Sequence, residues 1–415
     1  MNFLKLFIEA FIPISSIILA VTGIIQLRSG DVTTGVVCIF LAIATFVFSM
    51  RRLEKNTVEQ EKRVSLKPAS VPSVSWVIVV GLVVISVIYV ADNVKSAVTD
   101  RIAVIAWVLA MLLGLFLTWW QTLGLFLTNK ANLLKEKIRT NRKEIAILFL
   151  ILFIAFLLRT VSLTSHPYPW SGDEASIGME ARRIIHGEIT NYFDTGWSSQ
   201  SNWSFFPTAV SEIVFGQNIL AVRLTSVLAG ILAVLFTYLT ARVLFNPTIG
   251  LIAAAFLATL PYHVHFSRIG VHNIVDSLMS SLLFWLIAKG LKEDDPRFYY
   301  TAGVVGGLSV YTYAGTRLVL ILSAITFLFV ILRQRGYLAV HWRHLTAFAS
   351  GVILSMAPQA AYFARHPDIF FGRLGQEGIL FNGWLARRAL ETGQGQWDIL
   401  LDQFKSTILV FVASP

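Results

Sequence analysis

The feature that most constrains this chain is a succession of long apolar runs. They fall at about 4–27, 33–50, 73–91, 102–128, 145–163, 222–243, 248–264, 272–290, 298–313, 317–333 and 345–362, and a twelfth begins near 405. A helix of ~20 apolar residues spans ~30 Å of hydrocarbon and satisfies its backbone groups internally. The chain is 55% hydrophobic and 14% charged, more apolar surface than a water-soluble core can enclose. These runs predict an all-α polytopic membrane protein. The first run lacks a small-residue cleavage site and is read as a retained helix. The last meets Pro415 before it is complete, so a further C-terminal part is expected.

The net charge of +10 invites a nucleic-acid partner, but the placement of the charges excludes one. Lys and Arg crowd into short loops: Arg51 to Lys67, Lys130 to Lys143, Lys289 to Arg297 and Arg333 to Arg343. Simple alternation of the spans puts all four loops on one side, which the positive-inside bias makes cytoplasmic, along with the N-terminus. The longest non-apolar segments, about 164–221 and 363–404, then face the extracytoplasmic side. Cys38 is the single cysteine, so neither a disulfide framework nor a Cys-based metal site is expected. Residues 1–144 read as a four-span transmembrane unit of structural or partner-binding character, and 145–415 as the part that carries the functional content.

Three clusters carry potential chemistry. The first is Trp170-Ser171-Gly172-Asp173-Glu174, opening a short amphipathic helix that Gly187 should end. Ser171 and Glu174 have capping-box spacing, and acidic residues suit a helix N-terminus. The same carboxylates could serve as a general base or hold a divalent cation. The second cluster is His263, His265 and Arg268, with His272 and Asp276 following four residues apart on one helical face. Charge at a membrane boundary is costly and tends to be functional. The third is Tyr311-Thr312-Tyr313-Ala314-Gly315-Thr316-Arg317, readable also as an aromatic belt with a snorkelling arginine. All three clusters fall on the extracytoplasmic side of the alternation.

An ordered series of short motifs continues along the chain. Gly172-Asp173-Glu174-Ala175 is followed by Phe206-Pro207, Phe215-Gly216, Ala221-Val222-Arg223-Leu224-Thr225-Ser226, and Ala241-Arg242-Val243-Leu244-Phe245-Asn246-Pro247. Leu260-Pro261, Ser267-Arg268, Asp276, Gly307-Leu308, Tyr311-Thr312-Tyr313 and Arg317 complete it. Over roughly 160–335 this series resembles the GT-C membrane glycosyltransferases, in the branch of the dolichyl-phosphate-mannose protein mannosyltransferases and aminoarabinose transferases. Residues 1–144 have no counterpart in that branch's usual layout.

The resemblance implies a GT-C type helix bundle whose extracytoplasmic loop bears short interfacial helices. It implies transfer, with inversion, of a sugar from a polyprenyl-phosphate carrier to an acceptor hydroxyl of a protein, lipid or glycan. Asp173 matches the family's general base and Glu174 its partner for acceptor or metal contact. Arg268 and Arg317, helped by His263 or His265, would stabilise the departing phosphate, with Tyr311, Tyr313 and Asp276 as substrate contacts. Metal use stays open. The competing readings are a transporter or flippase of a lipid-linked intermediate and a non-catalytic membrane scaffold. The first lacks inverted repeats and charge at mid-bilayer depth; the second makes the acidic pair only a cap.

Overall fold

The computed structural model describes residues 73–91 and 96–409 except 169 and 335, together with Thr22, Cys38 and Leu41. At 73, 74, 121–140, 373, 374, 376, 377, 408 and 409 the description is of the backbone alone. The runs expected at 4–27 and 33–50 and the basic loop at 51–70 lie outside the described residues. Among the described residues the chain is helical and contains no strand, only an isolated bridge between Thr195 and Ser201.

The helices are α1 Ser73–Ala91, α2 Ala97–Thr140, α3 Arg142–Thr160, α4 Gly172–Ile185, α5 Phe206–Phe215, α6 Ile219–Leu244, α7 Pro247–Thr259 and α8 Pro261–Arg268. They continue as α9 Asn273–Glu293, α10 Pro296–Ser309, α11 Arg317–Arg333, α12 Tyr337–Arg365, α13 Pro367–Glu377, α14 Trp384–Thr392 and α15 Gln396–Leu409. The chain divides into two units. One is Ser70–Gln376; the helices from Trp384 onward belong to the other, where α14 and α15 are short and largely exposed.

Four of the described helices are long and apolar enough to cross a membrane, five if the α7–α8 pair counts as one span. Leu112, Leu228, Phe256 and Ile353 stay largely exposed on such helices, as side chains facing lipid do. Two expectations need correction. The span read at 248–264 is not straight: α7 and α8 meet at a 59° bend. Pro261 has no N–H to continue the ladder and holds Leu260 extended, at ψ 115°. The basic stretch read as a loop at 129–144 is helical to Thr140, so α2 runs 44 residues. Its Lys and Arg residues are strong helix formers with no Gly or Pro among them.

Within the first unit, α10 packs closely on α12. A Cβ at Gly303 would come 2.0 Å from the Phe348 carbonyl oxygen, and one at Gly351 would come 2.3 Å from that of Tyr300. Only glycine lets these backbones approach, the small-residue solution to helix packing where lipid supplies no hydrophobic drive. Helices α1 and α2 join this core through Val79, Ala103, Trp107 and Ala110, with Tyr300, Val304 and Leu354 across from them. Trp107 donates to the Ser355 carbonyl at 2.9 Å.

Candidate active site

Helix α4 begins as its sequence dictates. Ser171 Oγ accepts from Glu174 N–H, and the Glu174 carboxylate accepts from Ser171 N–H, closing the capping box. Ile177, Ala181 and Ile184 bury one face against Phe205, Ala209 and Val222. Past the helix, Gly187 adopts φ +74°, a left-handed stop that glycine takes without strain. Helix α5 follows, so the loop carries two short helices, as expected.

The acidic pair splits at this helix start. Asp173 is exposed and makes no hydrogen bond or ion pair with any described residue. Glu174 is 1% exposed and faces Arg223, which is fully buried. Arg223 Nε lies 2.7 Å from Oε1 and Nη2 lies 3.0 Å from Oε2, while Gly270 N–H donates to Oε1 at 2.8 Å. The remaining Arg223 donors reach the Leu163 and Pro167 carbonyls. Burial would raise the Glu174 carboxyl, but Arg223 and the two backbone donors outweigh it and hold the group below its ordinary range. Glu174 thus ties α4 to α6 and to the loop before α9, which leaves Asp173 as the free carboxylate.

The other predicted residues gather at this same end of the helices. Arg268 donates to the Leu158 and Val161 carbonyls at 2.7 Å and to that of His166 at 3.2 Å, capping the end of α3. Two of its five N–H groups remain for another acceptor. Arg317 donates to the Phe370 carbonyl at 2.9 Å and lies between the Phe363 and Phe370 rings, at 5.1 and 4.6 Å. Its Nε is buried without a partner. His265 is exposed, whereas His263 is buried. His263 Nδ1 lies 2.8 Å from Arg159 and Nε2 lies 3.2 Å from Ser277, so both ring nitrogens serve the bundle interior.

Asp276 sits beneath the turn of the third cluster: a Cβ on Gly315 would come 2.2 Å from its Oδ2, and its buried Oδ1 has no partner. Tyr313 accepts from Asn273 Nδ2 at 3.3 Å. Tyr311 is buried, donating to the Ser355 carbonyl and ringed by Trp107 and Phe193. Among the described residues no three His, Cys, Asp or Glu side chains come together as a metal-ligand set.

Sequence reasoning gave no role to Arg223, Arg159, Gln200 or Gln359, all buried. Gln359 receives Ser201 and donates to the Phe193 carbonyl, and Gln200 pairs with His272. The signal for the two arginines was their position inside or at the start of an apolar run, where a charge needs a partner. Gln359 also lies within an apolar run but carries no charge, and Gln200 lies in none.

Residues 204–361 match the family model of the dolichyl-phosphate-mannose-protein mannosyltransferases. No curated protein and no solved structure matches the chain. The matched stretch covers Arg223, Arg268, Asp276 and Arg317; Asp173 precedes it. With the motif series it overlaps, the match supports a GT-C, mannosyltransferase-like family for this chain, a multi-pass membrane glycosyltransferase.

Proposed function

We propose that the protein transfers a sugar from a polyprenyl-phosphate carrier to an acceptor hydroxyl at the extracytoplasmic membrane face, with Asp173 as general base. The observation that carries this reading is the division of labour in the acidic pair. Glu174 is consumed by Arg223, and Asp173 is left exposed on the rigid first turn that this ion pair holds. A base must be free and positioned; Asp173 is the member of the pair that meets those demands.

In the reaction, the acceptor oxygen attacks the anomeric carbon while Asp173 takes its proton. The bond from the anomeric carbon to the phosphate oxygen breaks on the opposite face, its electron pair leaves with the phosphate, and configuration inverts. Arg317, with an unpaired buried Nε and a guanidinium fixed between two rings, supplies donors for the departing charge. Arg268 adds its two uncommitted N–H groups, with exposed His265 on the same helix. His263 serves in holding α8, and Asp276 and Tyr313 face the same end as substrate contacts. Glu174 and Tyr311 act as positioning residues.

The test is to incubate the purified protein with a panel of polyprenyl-phosphate sugars and acceptors and to follow release of polyprenyl phosphate. Acceptor-dependent release with one donor supports the reading. Absence of release across the panel, from protein that stays folded, contradicts it.

A further inference from the structure

A cavity of about 270 Å³ lies where the N-terminal end of α2 meets the loop after α4. Asp100 from α2 and Asp194 and Asn202 from the loop line it, with Gly196, Arg183 and Glu188. Asp173 does not. At 1.5 Å per residue, Arg183 stands about 15 Å along α4 from Asp173, so the cavity is separate from the proposed base.

Its polar groups are largely pre-set acceptors. Asp100 Oδ2 is held by Thr190 Oγ at 2.7 Å, which leaves Oδ1 free. Asp194 Oδ1 is held by Tyr362 OH and by Thr195 N–H, which leaves Oδ2 free. Asn202 is only 5% exposed, and its Nδ2 is fixed on the Asn191 carbonyl at 2.8 Å. Its Oδ1 is buried with no partner. That oxygen lies beside Gly196, where an added Cβ would come within 2.9 Å of it, and both residues line the cavity. A buried carbonyl oxygen without a donor is costly unless something arrives to satisfy it.

The charges say what arrives. Three carboxylates line the cavity against one guanidinium, and Arg183 is already shared between Glu180 and Glu188. Phosphate is therefore repelled. The two unbonded carboxylate oxygens and the orphan amide oxygen come from α2 and from two separate points of the loop, each carboxylate already bonded through its other oxygen. That arrangement suits a row of hydroxyl donors better than one compact cation, which would draw several carboxylates inward.

We infer that this cavity is a saccharide-binding subsite that holds a sugar unit of a glycan acceptor away from the reacting hydroxyl. The acceptor role rests on the glycosyltransferase reading above; the binding of saccharide does not. A glycan acceptor long enough to span that distance of about 15 Å would be anchored here by its hydroxyls while its reacting end reaches Asp173.

The experiment is calorimetric titration of the purified full-length protein with methyl mannoside, methyl glucoside and methyl N-acetylglucosaminide. Saturable binding of at least one glycoside is expected. Asp100→Asn and Asp194→Asn each replace an open acceptor by an amide donor, and each should weaken binding about tenfold, the value of one hydrogen bond to a charged group. Ala97→Trp, at an exposed position lining the cavity, should block binding without touching the buried network. It keeps the test decisive if the aspartate variants fold poorly.

Asp173→Asn should leave glycoside binding unchanged even if transfer stops, which separates this inference from the catalytic one. A polyprenyl-phosphate sugar should bind together with the glycoside; mutual exclusion would move the subsite to the donor and overturn the acceptor assignment. Absence of saturable glycoside binding, or binding indifferent to all three cavity variants, overturns the inference. So does a titration in which calcium, methylammonium or phosphate binds the cavity and the glycosides do not.

Discussion

Arg223 and Glu174 meet in a two-point ion pair, Nε to Oε1 at 2.7 Å and Nη2 to Oε2 at 3.0 Å, with neither side chain more than 1% exposed. The pair joins the N-terminal part of α6 to the first turn of α4 across 49 residues of sequence. Breaking a buried pair from one side strands the other charge, at a cost of about 3–5 kcal/mol. Arg223→Ala and Glu174→Ala should therefore lower the melting midpoint of the purified protein sharply, and activity with it. The fold also predicts a pH window. The folded Glu174 carboxyl lies below its ordinary value of 4.5, so its contribution is complete above that value and is lost as pH falls through the lower folded value. Melting curves between pH 6 and 3 should show this acid loss in the native protein and lack it in Glu174→Gln. A variant as stable as the native protein at pH 7 would contradict the assignment.

Glu212 presents the opposite case. It is 2% exposed, its oxygens lack hydrogen-bond partners, and the nearest cation is Arg182 at 3.6 Å. Burial raises its carboxyl above the ordinary 4.5, with Arg182 only partly opposing. The unfolded carboxyl then ionises first, so stability falls as pH rises from 4.5 through the folded value. Glu212→Gln removes that loss and should be neutral or stabilising by about 1 kcal/mol at pH 7.5. A clear drop in melting midpoint at that pH would show that the charge is needed.

The two arginines assigned to phosphate should separate under the same substitution. Lys cannot reproduce a planar fork of donors. Arg268→Lys loses three carbonyl contacts at the end of α3 and should cost stability as well as donor affinity. Arg317→Lys, whose fold contact is one carbonyl and two rings, should cost mainly donor binding and rate, by ~2–4 kcal/mol. Unchanged donor affinity and single-turnover rate in Arg317→Lys would remove it from the phosphate site.

Orientation is open to direct labelling. In a Cys38→Ser background, Tyr168→Cys lies beside the acidic motif and Lys135→Cys in the basic stretch. An impermeant thiol reagent added to intact cells should label position 168 and spare 135. The reverse pattern would place the acidic motif in the cytoplasm and overturn the mechanism.

The helices were legible because their apolar runs are long and their breaks are marked; Pro261 even carried the signal for the bend that a hydropathy window averages away. The gathering of His265, Arg268, Asp276, Tyr313 and Arg317 at one end was also legible, since alternation puts those loops together. What could not be read was the fate of neighbours. Asp173 and Glu174 are adjacent, and only the distant Arg223 decides which of them is buried. His263 and His265, two residues apart on α8, part in the same way: one meets Arg159 inside and the other stays exposed. The cavity at Asp100 and Asn202 depends on contacts 90 or more residues apart, which no local pattern encodes.

The role of Asp173 as general base can be tested by one substitution that disturbs the fold little. Asn caps a helix about as well as Asp, and the capping box here is made by Ser171 and Glu174. Asp173→Asn should therefore melt like the native protein. The measurement is the single-turnover rate of polyprenyl-phosphate release with saturating donor and acceptor. A fall of ~10²-fold or more is expected, with donor affinity retained. A folded Asp173→Asn protein that turns over at the native rate would contradict it, and the first turn of α4 would then be a helix start and nothing more.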